Sequence, residues 1–166
     1  MKKTVLTYGL ISGVIAAVLM LAHVPFMDGG SQALIVGYAG IVLSALLIFF
    51  GVRSYRENAG NGKISFGRGL GVGILIALIS SACYVAAWEV VYYSSPGIAD
   101  HIFDKQVEDL KAAGAPQEKI DATARQVESF KKLYANPLVN VAFTFIEPFP
   151  VGILITLISA LILRRK

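Results

Sequence analysis

Four stretches of the chain stay apolar for as long as a helix needs to cross a bilayer: residues 4–24, 33–52, 67–93 and 138–163. About 20 mostly apolar residues, rising ~1.5 Å each, span the roughly 30 Å hydrocarbon layer. Backbone groups in lipid must pair within the protein, which leaves helices or closed barrels. The short alternating strands of a barrel do not occur here. The pattern predicts an all-α membrane protein: four transmembrane helices in a single membrane domain over residues 1–166.

Residues 94–137 follow another pattern. Apolar positions recur at helical spacing among charges. Ser95–Pro96 reads as an N-cap and first helical position. Ile98, Ile102, Val107 and Leu110 mark the first stripe, and Gly114 ends that helix. Pro116 opens a second, with Ile120, Ala124, Val127, Phe130 and Tyr134 on one face. Asn136–Pro137 breaks the chain before the last span. This predicts a helical hairpin between the third and fourth spans. Its stripes pack on each other and on the membrane surface; the sharper alternative is a docking surface for a partner protein. Asp104, Glu108 and Glu118 with Lys111 and Lys119 read as a solvated face.

Charge orients the spans. The formal net charge is +4, but the bases cluster at the ends of apolar runs, where they anchor a membrane protein. No nucleic-acid motif accompanies them. Lys2 and Lys3 precede the first span; Arg53, Arg56, Lys63 and Arg68 lie between the second and third; Arg164, Arg165 and Lys166 follow the fourth. The first turn holds only Asp28. Basic flanks face the cytoplasm, so both termini are expected there and residues 94–137 outside. That segment, with six Lys/Arg and seven Asp/Glu, adds little to the orientation. Trp88, Tyr92 and Tyr93 fit an aromatic belt at the outer end of span three. The first span is too long for a secretory h-region and has no clear small-residue cleavage site, so it reads as an uncleaved helix. Composition agrees: 55% hydrophobic and 16% charged, against roughly 45–50% and 25% in soluble domains. The lone Cys83 implies neither a disulfide within the chain nor a metal site.

Polar side chains inside spans are functional candidates because burying them in lipid is costly. Counting about 20 residues along each span puts His23, Gln32, Glu89 and Glu147 near one outer level. Asn140, Thr144 and Glu147 share a helical stripe that should face the bundle. Pro148 and Pro150 should kink the helix beside Glu147 and free backbone carbonyls. One reading is a small polar cavity that binds a proton, a cation or a lipid headgroup. The plainer reading pairs the acids with Lys131 or Lys132 to hold the hairpin down. His23, Glu89 and Glu147 have no metal-ligand spacing, so no metal or cofactor is expected. Gly67, Gly69, Gly71 and Gly73 form small-xxx-small pairs at the start of span three, and Gly9 and Gly13 do so in span one. Such faces let helix backbones approach; packing within the chain is the expected use, ahead of a homodimer seam. The run has no nucleotide-loop register, and no metalloprotease, serine-hydrolase or dithiol motif occurs, so no enzyme is expected.

Several runs carry a resemblance: Ile48–Arg56 (IFFGVRSYR), Gly62–Arg68 (GKISFGR), Trp88–Glu89, Asn136–Pro137 and Phe145–Gly152 (FIEPFPVG). In these the chain resembles the bacterial membrane proteins called domain of unknown function 4199, over nearly its whole length. The Glu-Pro-Phe-Pro segment and the Arg-Ser-Tyr-Arg turn are the most specific parts. The resemblance implies a four-helix protein of the bacterial inner membrane and implies no activity. The expected function is a non-enzymatic accessory, scaffold or envelope-sensing protein. The alternatives are an oligomeric transporter or channel subunit, or a lipid-binding protein using the outer acids. Expected partners are the lipid bilayer and a protein partner or second copy, not nucleic acid.

Overall fold

The computed structural model describes residues 1–26 and 30–165, with backbone alone for 30–32. Asp28, Lys166 and the Gln32 side chain, named from the sequence, lie outside the described residues. Among these residues there are seven α-helices: α1 (Lys2–His23), α2 (Gly30–Ala59), α3 (Phe66–Ser94), α4 (Ile98–Ala112), α5 (Gln117–Tyr134), α6 (Pro137–Ile146) and α7 (Phe149–Leu163). Four helical segments are long and apolar enough to cross a membrane: Lys2–Phe26, Ala33–Ala59, Phe66–Ser94 and Pro137–Leu163, the last made of α6 and α7 together.

The basic segment after span two is not all turn. Arg53 and Arg56 sit on α2, which runs on to Ala59. Residues 53–59 contain no glycine or proline to stop a helix, and Tyr55 packs against the bundle core. The reversal comes at Asn61 and Gly62, both with positive φ. Ser65 then caps α3 by accepting the Arg68 N–H at 3.3 Å.

In the bundle, α1 packs on α2 and α3, and α7 packs on α2 and α3. The seams are made by small residues. Gly9 faces the Ile79 side chain and Gly13 faces Cys83, bringing α1 onto α3; Gly69 faces Ala160, Gly73 faces Thr156 and Gly152 faces Ala77, bringing α7 onto α3. Gly67 and Gly71 do not take part: no described residue lies within 4 Å of a Cβ at either. Two residues of helix turn a side chain by about 200°, so the two interleaved glycine pairs cannot face the same neighbour.

At the basic end the core is a tight apolar cluster around Ile48, Val52, Val72 and Ile76. Above it, three buried serines link three helices. The Ser12 hydroxyl donates to the Ser44 carbonyl at 2.8 Å. Its oxygen lies 2.9 Å from the Ser80 hydroxyl, which must therefore be the donor of that pair. The basic end is closed by paired backbone hydrogen bonds between Ile64 and Arg165. Arg53, Lys63, Arg68, Arg164 and Arg165 are exposed there. Arg56, at the same end, is largely buried: its guanidinium pairs with Glu57 and reaches the Leu163 carbonyl at 3.5 Å, at the C-terminus of α7. A cation there complements the helix dipole.

Between α3 and α6, α4 starts at Ile98, with Gly97 rather than Ser95 in the N-cap position. The Ser95 N–H is still bonded to Val91 of α3, so the chain must turn after it, and Gly97 does so at φ +86°. Helices α4 and α5 pack side by side, with Phe103 and Phe130 edge to face at 5.1 Å. Asp104 is more than a solvated charge: Lys131 of α5 donates to it at 2.7 Å. That bond holds Lys131 above the ordinary lysine range.

Candidate functional site

The site begins with two missing N–H groups. Pro148 and Pro150 cannot donate to the carbonyls of Thr144 and Ile146, one turn earlier. Helix α6 therefore stops at Ile146 and α7 starts at Phe149, and the ladder resumes where the Gly152 N–H donates to Pro148 at 3.0 Å. Below the break, α7 lies against α2 and α3. Above it, α6 lies against α3 and α5 and scarcely meets α2.

The space left between α2 and α6 is a cavity of about 590 Å³. Its walls are largely aromatic: Tyr38 from α2, Tyr84 and Trp88 from α3, Phe103 from α4, Phe130 and Tyr134 from α5, and Phe143 from α6. Phe130 meets both Tyr134 and Phe143 at ring-centre distances of 5.7 and 5.0 Å, so the lining is one packed surface.

Three of the five polar candidates line it: His23, Thr144 and Glu147. Glu147, at the break itself, accepts the Tyr84 hydroxyl at 3.0 Å. It is an exposed residue that also lines the cavity. Thr144 donates to Asn140 Oδ1 at 3.3 Å. Its oxygen also lies 3.2 Å from the Tyr134 hydroxyl, and since Thr144 has already given its one proton, Tyr134 is the donor. Burial raises the Tyr134 phenol above its usual range, keeping it protonated for that role. His23 lies against Gly37, where a Cβ would stand 3.2 Å from Nε2; glycine makes the room the imidazole occupies. Its Nδ1 is buried with no hydrogen-bond partner among the described residues.

Asn140 stands behind the wall. It is 1% exposed and supports Thr144 without lining the cavity. Glu89 is not among the cavity-lining residues; one of its oxygens, Oε1, is buried with no partner among the described residues. Among the described residues the acids do not pair with Lys131 or Lys132. Lys131 is taken by Asp104 and Lys132 by Glu128, while Glu147 is held by a tyrosine. Trp88 is not a belt residue: it is 8% exposed and forms a cavity wall, whereas Tyr93 at 63% is open. Sequence reasoning passed over Tyr84, whose signal was available. It lies one turn from Trp88 on the same face, and a tyrosine hydroxyl inside an apolar span needs a partner.

Among the described residues, no group of three His, Cys, Asp or Glu side chains could hold a metal ion. The arrangement offers an apolar, aromatic chamber with one carboxylate at its edge, suited to a ligand with an apolar body and a polar head. No curated protein and no solved structure matches the chain. A family match covers residues 7–165, taking in every cavity-lining residue, and by it the chain belongs to the family described as protein of unknown function (DUF4199).

Proposed function

We propose that this is a multi-pass protein of the bacterial inner membrane that binds an amphipathic molecule in its aromatic cavity. Both termini are cytoplasmic, and α4 and α5 form an extracytoplasmic hairpin over the cavity. The distribution of Lys and Arg supports this orientation, since the exposed bases of the short flanks gather at one end of the bundle. The cavity then lies at the level of the outer leaflet. Its mouth is lateral: Leu34 on α2 and Ile146 on α6, 65% and 60% exposed, flank the gap where these helices part. A ligand dissolved in the leaflet reaches the chamber without crossing water.

The observation that carries this reading is the break at Glu147–Pro148, which opens a lined chamber where a continuous helix would close on α2. The apolar stripes of α4 and α5 support binding over a scaffold role. Phe103, Phe130 and Tyr134 turn inward to build the cavity and are not left for a partner. Binding is also favoured over catalysis. Tyr84 bonds to Glu147 and Tyr134 to Thr144, and no serine or cysteine stands among the described lining residues.

Native mass spectrometry of protein extracted gently from its own membrane tests the proposal. The expected result is a retained small molecule that is lost in Ile146→Trp, which plugs the mouth from an exposed position. Equal retention by this variant would refute the cavity as the binding place. A co-purifying protein lost on deleting residues 99–134 would restore the accessory role.

A further inference from the structure

We infer that the polar head of the ligand is a cation, an ammonium or similar onium group, held between Glu147 and the surrounding rings. This rests on the cavity being a binding site and adds the charge of its occupant. Among the described residues lining the chamber, Glu147 is the only acid, and no lysine or arginine is present. Lys131 of α5 does not line the chamber and is committed to Asp104 at 2.7 Å. An anionic headgroup would meet the Glu147 carboxylate with neither lysine nor arginine beside it; His23, across the chamber on α1, is the one basic side chain on the described wall. A neutral alkyl chain would offer the carboxyl no partner and drive it to take up a proton, whereas a cationic head would be paired by the carboxylate.

The carboxylate is also short of donors. Tyr84 supplies one hydrogen bond, to Oε2. The Tyr134 and Thr144 protons are used in the Tyr134–Thr144–Asn140 chain, so neither is left to satisfy Glu147. A carboxylate can accept several hydrogen bonds, and an ammonium head would supply them together with the opposite charge. An onium head without N–H groups would still be favoured by charge and by the ring faces. Tyr38, Tyr84, Trp88 and Tyr134 line the same chamber, and aromatic faces attract cations most strongly when water is excluded. The volume of about 590 Å³ lies within the range of pockets that take small molecules. It can hold an apolar body of a few rings or a folded chain beside the head.

The chain contains a single tryptophan, and Trp88 is in the cavity wall, so its emission reports occupancy directly. Full-length protein in an uncharged maltoside detergent would be titrated with tetraphenylphosphonium and with tetraphenylborate, ions of one shape and opposite charge. Triphenylmethanol serves as an uncharged probe. The cation is expected to change Trp88 emission saturably, with an affinity about tenfold or more above that of the anion. Glu147→Gln, checked for folding by circular dichroism, should abolish this preference by weakening the cation alone. If the two ions bind equally, or Glu147→Gln leaves the cation unaffected, the cation assignment is overturned. Triphenylmethanol separates the two levels. If it moves Trp88 emission while the phosphonium does not, the cavity binds ligands and only the charge was wrong. If none of the three probes does, both readings fall.

Discussion

The two halves of the bundle are built from one set of helices yet solve opposite problems. At the basic end, glycine and alanine bring α3 and α7 into contact, and the buried Ile48, Val52, Val72 and Ile76 form the centre. At the aromatic end the same α3 presents Tyr84 and Trp88 to an open chamber. The fourth span is the cause. Its lower half, α7, carries Gly152 and Thr156 on the seam. Its upper half, α6, is turned away by two prolines that break the ladder. Close packing fills one half, and an interrupted helix leaves the other half a cavity.

The largest expected effect tests the close-packed half. Gly73→Val would put a Cβ 3.0 Å from Thr156 Cβ, with no exposed direction to move into. Overpacking of this kind costs about 3 kcal/mol, seen as a lower midpoint in thermal unfolding in detergent. Gly71→Val, two residues away in open space, should stay within about 0.5 kcal/mol of wild type. Equal effects from both would show that the α3–α7 seam is not where the bundle is tight.

Next comes the break. Replacing Pro148 and Pro150 together by alanine restores two helix donors, and a proline inside a helix costs up to about 3 kcal/mol. The variant should be more stable than wild type while Trp88 emission shifts and small-molecule retention falls. A stabilised protein with an unchanged cavity would separate the break from the chamber.

Two smaller effects sharpen the contrast. Ser12→Ala should cost about 1 kcal/mol, as hydrogen bonds between membrane helices do, because it removes the link between the Ser44 carbonyl and Ser80. Lys131→Met should cost about 0.2–1 kcal/mol and act only on the α4–α5 end, read as faster amide exchange there. The Lys131–Asp104 bond has a pH signature. A lysine held above its usual value contributes stability that is whole below pH 10.5, its ordinary value, and is lost as pH rises through the folded value. Tyr134, raised by burial, acts in the same direction above pH 10.0. The α4–α5 end should therefore loosen first in alkali, and Lys131→Met should remove part of that dependence.

Much of this was legible in the sequence because it depends on local features. Span length, the placement of arginine and lysine, the glycine stops and the Glu-Pro-Phe-Pro break are read from neighbours in the chain. The candidate site was legible only as a level. His23, Glu89 and Glu147 could be counted to similar depth, but depth does not say which way a side chain faces. Glu89 fell outside the lining and Asn140 behind it. Likewise the glycine run could be seen, but not that Gly69 and Gly73 meet α7 while Gly67 and Gly71 face away.

The sequence by itself determined that four long apolar helices and two amphipathic ones must form, since hydrophobic length and period leave the backbone no other paired state in lipid. Only the tertiary structure decided that the broken fourth span leans away from α2, that Tyr84 rather than a lysine holds Glu147, and that the rings of five helices close on one chamber. Those outcomes depend on the rotation and tilt of each helix about its axis. Rotation and tilt are set by contacts between residues far apart in the chain, and no local pattern encodes them.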